Sequence, residues 1–196
     1  MKMKKQELRK IYSEKRIALS QDEVVFLSQK IFQNFIATFL PEKNQNIHIF
    51  LTIEKFKEVD TQLFIDYFFK KNVKVFVPRI NGETQETIQI TPETGFRKNK
   101  WGIPEPKGSS SQNIYFDFVI TPLLYCDNFG NRIGYGKGFY DRFFSEINPD
   151  AQKIGLNFFP PEENIDDVFP SDIPLDYLVT PLEVLSFGNG ASKFSK

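Results

Sequence analysis

Excess charge of either sign is missing from this 196-residue chain: 25 Lys plus Arg stand against 25 Asp plus Glu. No global field gathers nucleic acid or an anionic membrane surface, so any affinity for anions has to be local. Cysteine occurs once, as Cys126, which excludes an internal disulfide. No apolar run reaches the roughly 20 residues a spanning helix needs, and no charged-then-apolar segment opens the chain. These absences point to a cytoplasmic protein with no membrane partner. Internal repeats and linker-like stretches are also lacking, and the length suits one domain with a sizeable core. Phenylalanine, by contrast, is used 22 times, so the core should be aromatic-rich and a single Phe is a poor functional candidate.

The residues that are present concentrate in one short stretch, Gly130 to Phe144, which combines glycines, cations, aromatics and a carboxylate. Glycines 134, 136 and 138 leave backbone N–H groups uncovered and tolerate positive φ, so the main chain can curl around an anion. Arg132 and Lys137 add positive charge. Phe139 to Ile147 carries apolar groups at helical spacing, which sets the loop at a helix N-terminus that favours phosphate. A plain strand-to-helix connection is the bland alternative. The spelling excludes two familiar phosphate loops: Lys137 is followed by Gly138 and not by Ser or Thr, and the third glycine comes one residue early for a dinucleotide fingerprint. If a metal accompanies the phosphate, Asp141 is the nearest hard oxygen ligand.

Along the rest of the chain, Lys4 to Ala18 reads as a charged helix on which Lys5 and Arg9 share a face. Ser20-Gln-Asp-Glu23 is a capping box that opens a second helix, Gln21 to Phe39, stopped by Pro41. Strands and helices then alternate: a strand at Ile47 to Thr52, a helix at Thr61 to Lys70, and a strand at Val73 to Val77 ending at Pro78. A short strand is expected at Thr87 to Ile90 and an extended loop at Gly95 to Gln112. The apolar run Phe116 to Thr121 suits a buried parallel strand, and further strands follow at Lys153 to Asn157 and Tyr177 to Thr180. The pattern implies an α/β fold of three layers, α/β/α, with a mostly parallel, Rossmann-like open sheet in a single domain, 1–187; residues 188–196 read as a flexible tail. Ligands of such sheets bind outside the carboxyl ends of the strands, so Glu58, Trp101, the glycine loop and Asp172 are expected to converge on one crevice. His48, on an apolar strand, reads as a core histidine, and Cys126 as a small packing residue.

The spelling Gly-Asn-Arg-Ile-Gly-x-Gly-Lys-Gly-Phe-Tyr-Asp-Arg closely resembles the signature of the 5-formyltetrahydrofolate cyclo-ligase family. The resemblance extends, in order, to Lys5-x-x-x-Arg9, Glu58-Val-Asp-Thr61, Trp101-Gly-Ile-Pro-Glu-Pro106 and Asp172-Ile-Pro-Leu-Asp176 with Val179-Thr180. It implies an enzyme that uses ATP and Mg2+ to convert 5-formyltetrahydrofolate into 5,10-methenyltetrahydrofolate, releasing ADP and phosphate. Transfer of the γ-phosphoryl turns the formyl oxygen into a leaving group, N10 attacks the activated carbon, and phosphate departs.

On the matched positions, Lys5, Arg9, Arg132, Ile133, Gly134, Tyr135, Gly136, Lys137, Gly138, Phe139 and Tyr140 would hold ATP. Lys137 and Arg132 would act on the transferred phosphoryl, and Asp141 and Asp172 would hold magnesium. Glu58 would meet the pterin, with Leu51, Trp101 and Tyr140 as apolar walls. Each has a plainer reading. Lys5 and Arg9 are a solvated helix face, Asp141 a helix-dipole charge, Asp172 a turn residue before Pro174, Glu58 a charge at a helix start and Trp101 a packed loop anchor. Two positions depart from the family's pattern: Ser171 precedes Asp172 where many members have His or Trp, and the variable position 135 is Tyr. The partners implied are small molecules, with no nucleic acid; a monomer and a weak homodimer fit equally. Two other functions remain open: a phosphosugar or coenzyme A enzyme on a related scaffold, and a catalytically silent folate- or nucleotide-binding relative.

Overall fold

Two helices open the chain, and their starts follow from local chemistry. In the computed structural model, which describes residues 2–82, 84–99 and 103–188, α1 spans Lys5–Ala18 and α2 spans Gln21–Phe39. Ser20 caps α2: its Oγ accepts from the Glu23 N–H at 3.2 Å, and the Glu23 carboxylate accepts from the Ser20 N–H at 2.7 Å. This reciprocal pairing satisfies donors that the first turn would otherwise leave open. α2 ends at Leu40, in the left-handed region at φ 43, directly before Pro41.

Seven strands form the main sheet: β1 (Asn46–Ile49), β2 (Lys74–Asn81), β3 (Thr84–Ile90), β4 (Phe118–Pro122), β5 (Gln152–Leu156), β6 (Tyr177–Val179) and β7 (Val184–Ser186). Two further helices are α3 (Gln62–Lys70) and α4 (Phe139–Glu146). The order across the sheet is β7-β6-β5-β4-β1-β2-β3, with the five inner strands parallel and both edge strands antiparallel. Alternation along the strands divides the core. Ile47, Ile49, Val75, Val77, Phe118 and Ile120 pack with Phe35 and Phe39 of α2 and Phe64 and Phe68 of α3. Phe76 and Val119 turn the other way, to Phe143 and Phe144 of α4. Phe35 is fully buried, with ring centroids 5.0 to 6.0 Å from those of Phe39, Phe64 and Phe68. A Phe so enclosed stabilises the fold by about 1.5–3 kcal/mol, which accounts for the heavy use of this residue.

The chain leaves β1 through α3 for β2 on one side, and β4 returns to the other side of β1. The strand order therefore reverses between β1 and β4, and a crevice opens at their carboxyl ends. A third cluster closes over that end: Leu8 and Tyr12 of α1 pack with Leu124, Tyr125, Ile133 and Ile165. It fixes α1 against a short hairpin, Tyr125–Cys126 with Arg132–Ile133, which leads into the glycine loop.

Several expected boundaries change. β2 does not stop at Pro78 but continues to Asn81, because β1 accompanies it only through Phe76. Beyond that point one side of β2 is open, where proline is tolerated without breaking a ladder. Its partner β3 is correspondingly longer than Thr87 to Ile90, pairing Asn81 with Thr84 through to Val75 with Ile90. The region 95–112 is not a plain loop, since Phe96–Lys98 pairs with Pro104–Pro106. Strand β7, the hairpin at 125–133 and a two-residue pairing of Lys2–Met3 with Asn164–Ile165 add to the expected set. Of the expected tail, only Gly188 lies within the described residues.

Candidate active site

Helix α1 presents Lys5, Arg9, Tyr12 and Arg16 along one face, as spacings of four, three and four residues dictate. Each reaches a different part of the crevice. The Lys5 ammonium pairs with the Asp172 carboxylate, and the Lys5 N–H donates to Asp167 Oδ1 at 2.6 Å. Arg9 Nε donates to the Gly134 carbonyl at 2.9 Å. Tyr12 stacks on Tyr125 at 4.2 Å and donates to Glu163 at 2.8 Å. Arg16 is 4 % exposed; it donates to the Leu123 carbonyl at 3.2 Å and to the Tyr135 hydroxyl at 2.5 Å.

The glycine loop runs from the hairpin into α4. Gly136 (φ 85) and Gly138 (φ 66) occupy the left-handed region, which costs other L-residues roughly 1–2 kcal/mol. Gly138 caps α4, so the loop lies at a helix N-terminus, with its partial positive charge. A Cβ on Gly136 would approach the Arg9 guanidinium at 3.6 Å, a measure of how closely the bare backbone lies on that cation. Gly134 is not in the positive-φ region and has no neighbour within 4 Å of its missing Cβ. Lys137 is exposed and has no ion pair among the described residues. Ile133 is a core residue, 1 % exposed, and can serve a ligand only through its backbone.

Arg132 lies beneath the loop. Its side chain is 7 % exposed, pairs with Asp141 Oδ1 at 2.7 Å, donates to the Ile173 carbonyl and lies over the Phe144 ring at 4.5 Å. Burial lowers its pKa, and the neighbouring Asp141 opposes that. Asp141 Oδ1 also accepts from the Ile173 N–H at 3.2 Å, which ties α4 to the segment carrying Asp172. Asp172 Oδ2 accepts from Lys5 and from the Phe169 N–H at 2.6 Å. Each aspartate thus has one oxygen engaged within the protein and a second that no described residue occupies. No group of three His, Cys, Asp or Glu converges among the described residues. A pair of half-free carboxylates fits magnesium, which is commonly held by one or two carboxylates with substrate phosphates and water completing the shell.

Glu58 faces the loop from the other wall. It follows β1 and a 3-10 turn, Glu54–Phe56, and is 2 % exposed. Oε2 accepts from the Ile53 N–H at 2.8 Å and Oε1 accepts from the Tyr135 hydroxyl at 2.5 Å. Burial raises its pKa; the bonds from Tyr135 and Ile53 and the charge of Arg16 hold it down. Tyr140 is close enough that Glu58 raises the pKa of its already buried phenol, and the Tyr140 hydroxyl has no hydrogen-bond partner among the described residues. Leu51 is half-buried at the rim of the main core, Phe139 lies beneath the Arg142 guanidinium at 5.2 Å, and Trp101 lies outside the described residues.

Glu58, the glycine loop, α1 and the Asp172 segment are therefore linked by direct contacts. Arg16 was missed from the sequence, although it continues the spacing of Lys5 and Arg9 by two further turns. His48 is fully buried between Phe116, Phe143 and Tyr140, with neither ring nitrogen bonded among the described residues; burial lowers its pKa to about 3. Cys126 is buried as well, its thiol pKa pushed up by burial, which makes it a packing residue and not a nucleophile.

A mostly parallel α/β sheet with a glycine-rich loop at a helix N-terminus and a buried carboxylate beyond the strand ends defines a class: α/β proteins that bind small molecules outside the carboxyl ends of their strands. The sequence profile of the 5-formyltetrahydrofolate cyclo-ligase family matches residues 1–181. The chain belongs to that family. It is 31% identical over 206 residues to the probable 5-formyltetrahydrofolate cyclo-ligase of Schizosaccharomyces pombe, covering 94% of this chain and 98% of the yeast protein. Its fold is similar to that of Aquifex aeolicus 5,10-methenyltetrahydrofolate synthetase, with TM-score 0.78, 29% identity, and coverage of 96% of this chain and 95% of the other. The Mycoplasma pneumoniae 5,10-methenyltetrahydrofolate synthetase gives a TM-score of 0.69 at 26% identity, covering 91% and 99% of the two chains.

Proposed function

We propose that this crevice carries out the reaction for which the family is named, the ATP-dependent cyclisation of 5-formyltetrahydrofolate to 5,10-methenyltetrahydrofolate, with ADP and phosphate released. One observation carries the reading best: a single tyrosine hydroxyl joins the anion loop to the buried Glu58 carboxylate, so two subsites of opposite character adjoin. The loop, Lys5 and Arg9 take the ATP phosphates. Lys137, exposed and uncommitted, takes the γ-phosphoryl as it moves to the formyl oxygen. Arg132 acts from below, holding Asp141 and the 173 segment in place.

Glu58 accepts paired N–H bonds from the pterin, a role that needs its ionised form, and Leu51, Trp101 and Tyr140 wall the pocket. Once the formyl oxygen carries phosphate, N10 adds to the formyl carbon and loses its proton, and the C–O bond to phosphate breaks. The apolar walls keep water from the activated carbon before that attack. Asp141 and Asp172 would hold magnesium, which when bound neutralises phosphate charge.

Among the described residues no helix is long and apolar enough to cross a membrane, and a cytoplasmic enzyme of one folding unit over 1–187, a monomer or weak homodimer without nucleic-acid partners, fits the sequence. Helices on both faces of the sheet support the three-layer, Rossmann-like reading. ADP release that depends on added 5-formyltetrahydrofolate tests the coupling. ADP release at the same rate without the folate contradicts it.

A further inference from the structure

Tyr135 lies against Glu58, the carboxylate assigned above to the folate. The residue is 40 % exposed and its ring packs on Phe56 at 5.2 Å, yet its hydroxyl reaches inward between two buried charges. It accepts from Arg16 at 2.5 Å and donates to Glu58 Oε1 at 2.5 Å. With Oε2 already taken by the Ile53 N–H, the tyrosine fills the one oxygen of Glu58 that would otherwise be open to a ligand donor. The residue is carried between Gly134 and Gly136, and Arg9 holds both: Nε bonds the Gly134 carbonyl at 2.9 Å, and the guanidinium lies against Gly136. The cation that props the tyrosine in place is thus one that a nucleotide's phosphates would draw away.

We propose that Tyr135 stands in for the pterin, and that nucleotide binding removes it. Phosphate competes for Arg9, the Gly134 carbonyl is freed, and the loop re-forms around the anion. The tyrosine hydroxyl then leaves Glu58, and the folate's N–H donors replace it. The proposal rests on the reading of Glu58 as the folate carboxylate and adds an order: nucleotide first, folate second. Tyr135 is here a positioning residue, acting on the folate through Glu58 and Arg16.

Linkage makes this quantitative, because two ligands that favour the same loop state strengthen each other by one common factor. The lost hydrogen bond is charge-assisted, so a factor of about ten is expected, equivalent to about 1.4 kcal/mol. The test is calorimetric titration of 5-formyltetrahydrofolate at pH 8 with magnesium, with and without saturating β,γ-imido-ATP, for wild type and Tyr135→Phe.

In wild type the analogue should tighten folate binding about tenfold, and folate should tighten analogue binding by the same factor. Tyr135→Phe should bind folate without nucleotide nearly as tightly as wild type does with it, and the analogue should add less than about twofold. Equal folate affinity of wild type with and without the analogue overturns the proposal and leaves the Glu58 assignment standing. A variant that weakens folate binding in both conditions also overturns it, by making Tyr135 part of the folate wall. Wild type that binds the analogue but no folate in either condition refutes the Glu58 assignment itself, and the proposal with it.

Discussion

Replacing His48 by leucine is expected to remove about 2 kcal/mol of the stability this protein loses between pH 8 and pH 5, and the size of the effect follows from the histidine's surroundings. His48 is the single histidine of the chain and is wholly buried on β1 against Phe116, Phe143 and Tyr140. Burial alone draws its pKa from 6.5 to about 3. In the unfolded chain the imidazole takes up a proton as pH falls through about 6.5, whereas the folded protein refuses it until about pH 3. Stability from this group is therefore complete above the unfolded pKa and drains away as pH falls toward the folded one. Between pH 8 and pH 5 the loss is about 2 kcal/mol, from about 1.5 pH units at 1.36 kcal/mol each. Glu58, whose pKa is raised, works with the opposite sign: its contribution is fully present below the ordinary carboxylate pKa and is lost as pH rises. Both proteins keep Glu58, so the difference between them isolates His48. Urea unfolding at the two pH values, followed by far-ultraviolet circular dichroism, measures it. Wild type should lose about 2 kcal/mol more than His48→Leu on going to pH 5. At pH 8 the variant should be no less stable, because two unbonded ring nitrogens leave the core. Equal losses in the two proteins would falsify the assignment of a neutral, buried imidazole.

Lys137→Ala should lower turnover by about a hundredfold or more with an unchanged melting temperature, since the side chain is exposed and phosphoryl transfer depends on charge placed at the moving group; a thermal defect without a kinetic one makes Lys137 structural. Asp141→Asn should cost about 2–4 kcal/mol in urea unfolding as well as activity, because it strips the counter-charge from Arg132, whose side chain is 7 % exposed. Full stability in that variant would mean the ion pair is dispensable. Glu58→Gln should raise the KM for 5-formyltetrahydrofolate at least about tenfold and flatten its rise toward acid pH, because wild-type binding weakens as the raised Glu58 pKa is approached from above. An acid limb of equal steepness in the variant assigns the titration elsewhere. Chelation of magnesium should stop turnover reversibly; undiminished turnover in excess EDTA removes the metal role of Asp141 and Asp172.

Much of the frame was legible in local chemistry. The capping box at Ser20 and Glu23, Pro41 and the apolar run 116–121 place α2 and the central strand β4 to within two residues. What escaped were features set by neighbours that only the folded sheet supplies. Pro78 reads as a strand end, yet it is tolerated because β1 has already finished beside it. Two-residue strands such as Tyr125–Cys126 carry no periodicity to detect. The candidate site divides in the same way. Glycines, cations and carboxylates were visible as residue types, but the commitment of Arg132 to Asp141 and the bridge from Arg16 through Tyr135 to Glu58 join positions far apart in the chain. Only the spacing of Arg16 from Lys5 and Arg9 hinted at the second.

The central claim, that this crevice uses ATP to close the formyl group of a reduced folate onto N10, is tested most directly by one absorbance trace. Purified protein, 5-formyltetrahydrofolate, magnesium and ATP are mixed, and the near-ultraviolet band of the methenyl product is followed. The account predicts a rise that requires ATP and is matched mole for mole by ADP. No rise, or one that proceeds unchanged without ATP, would contradict it.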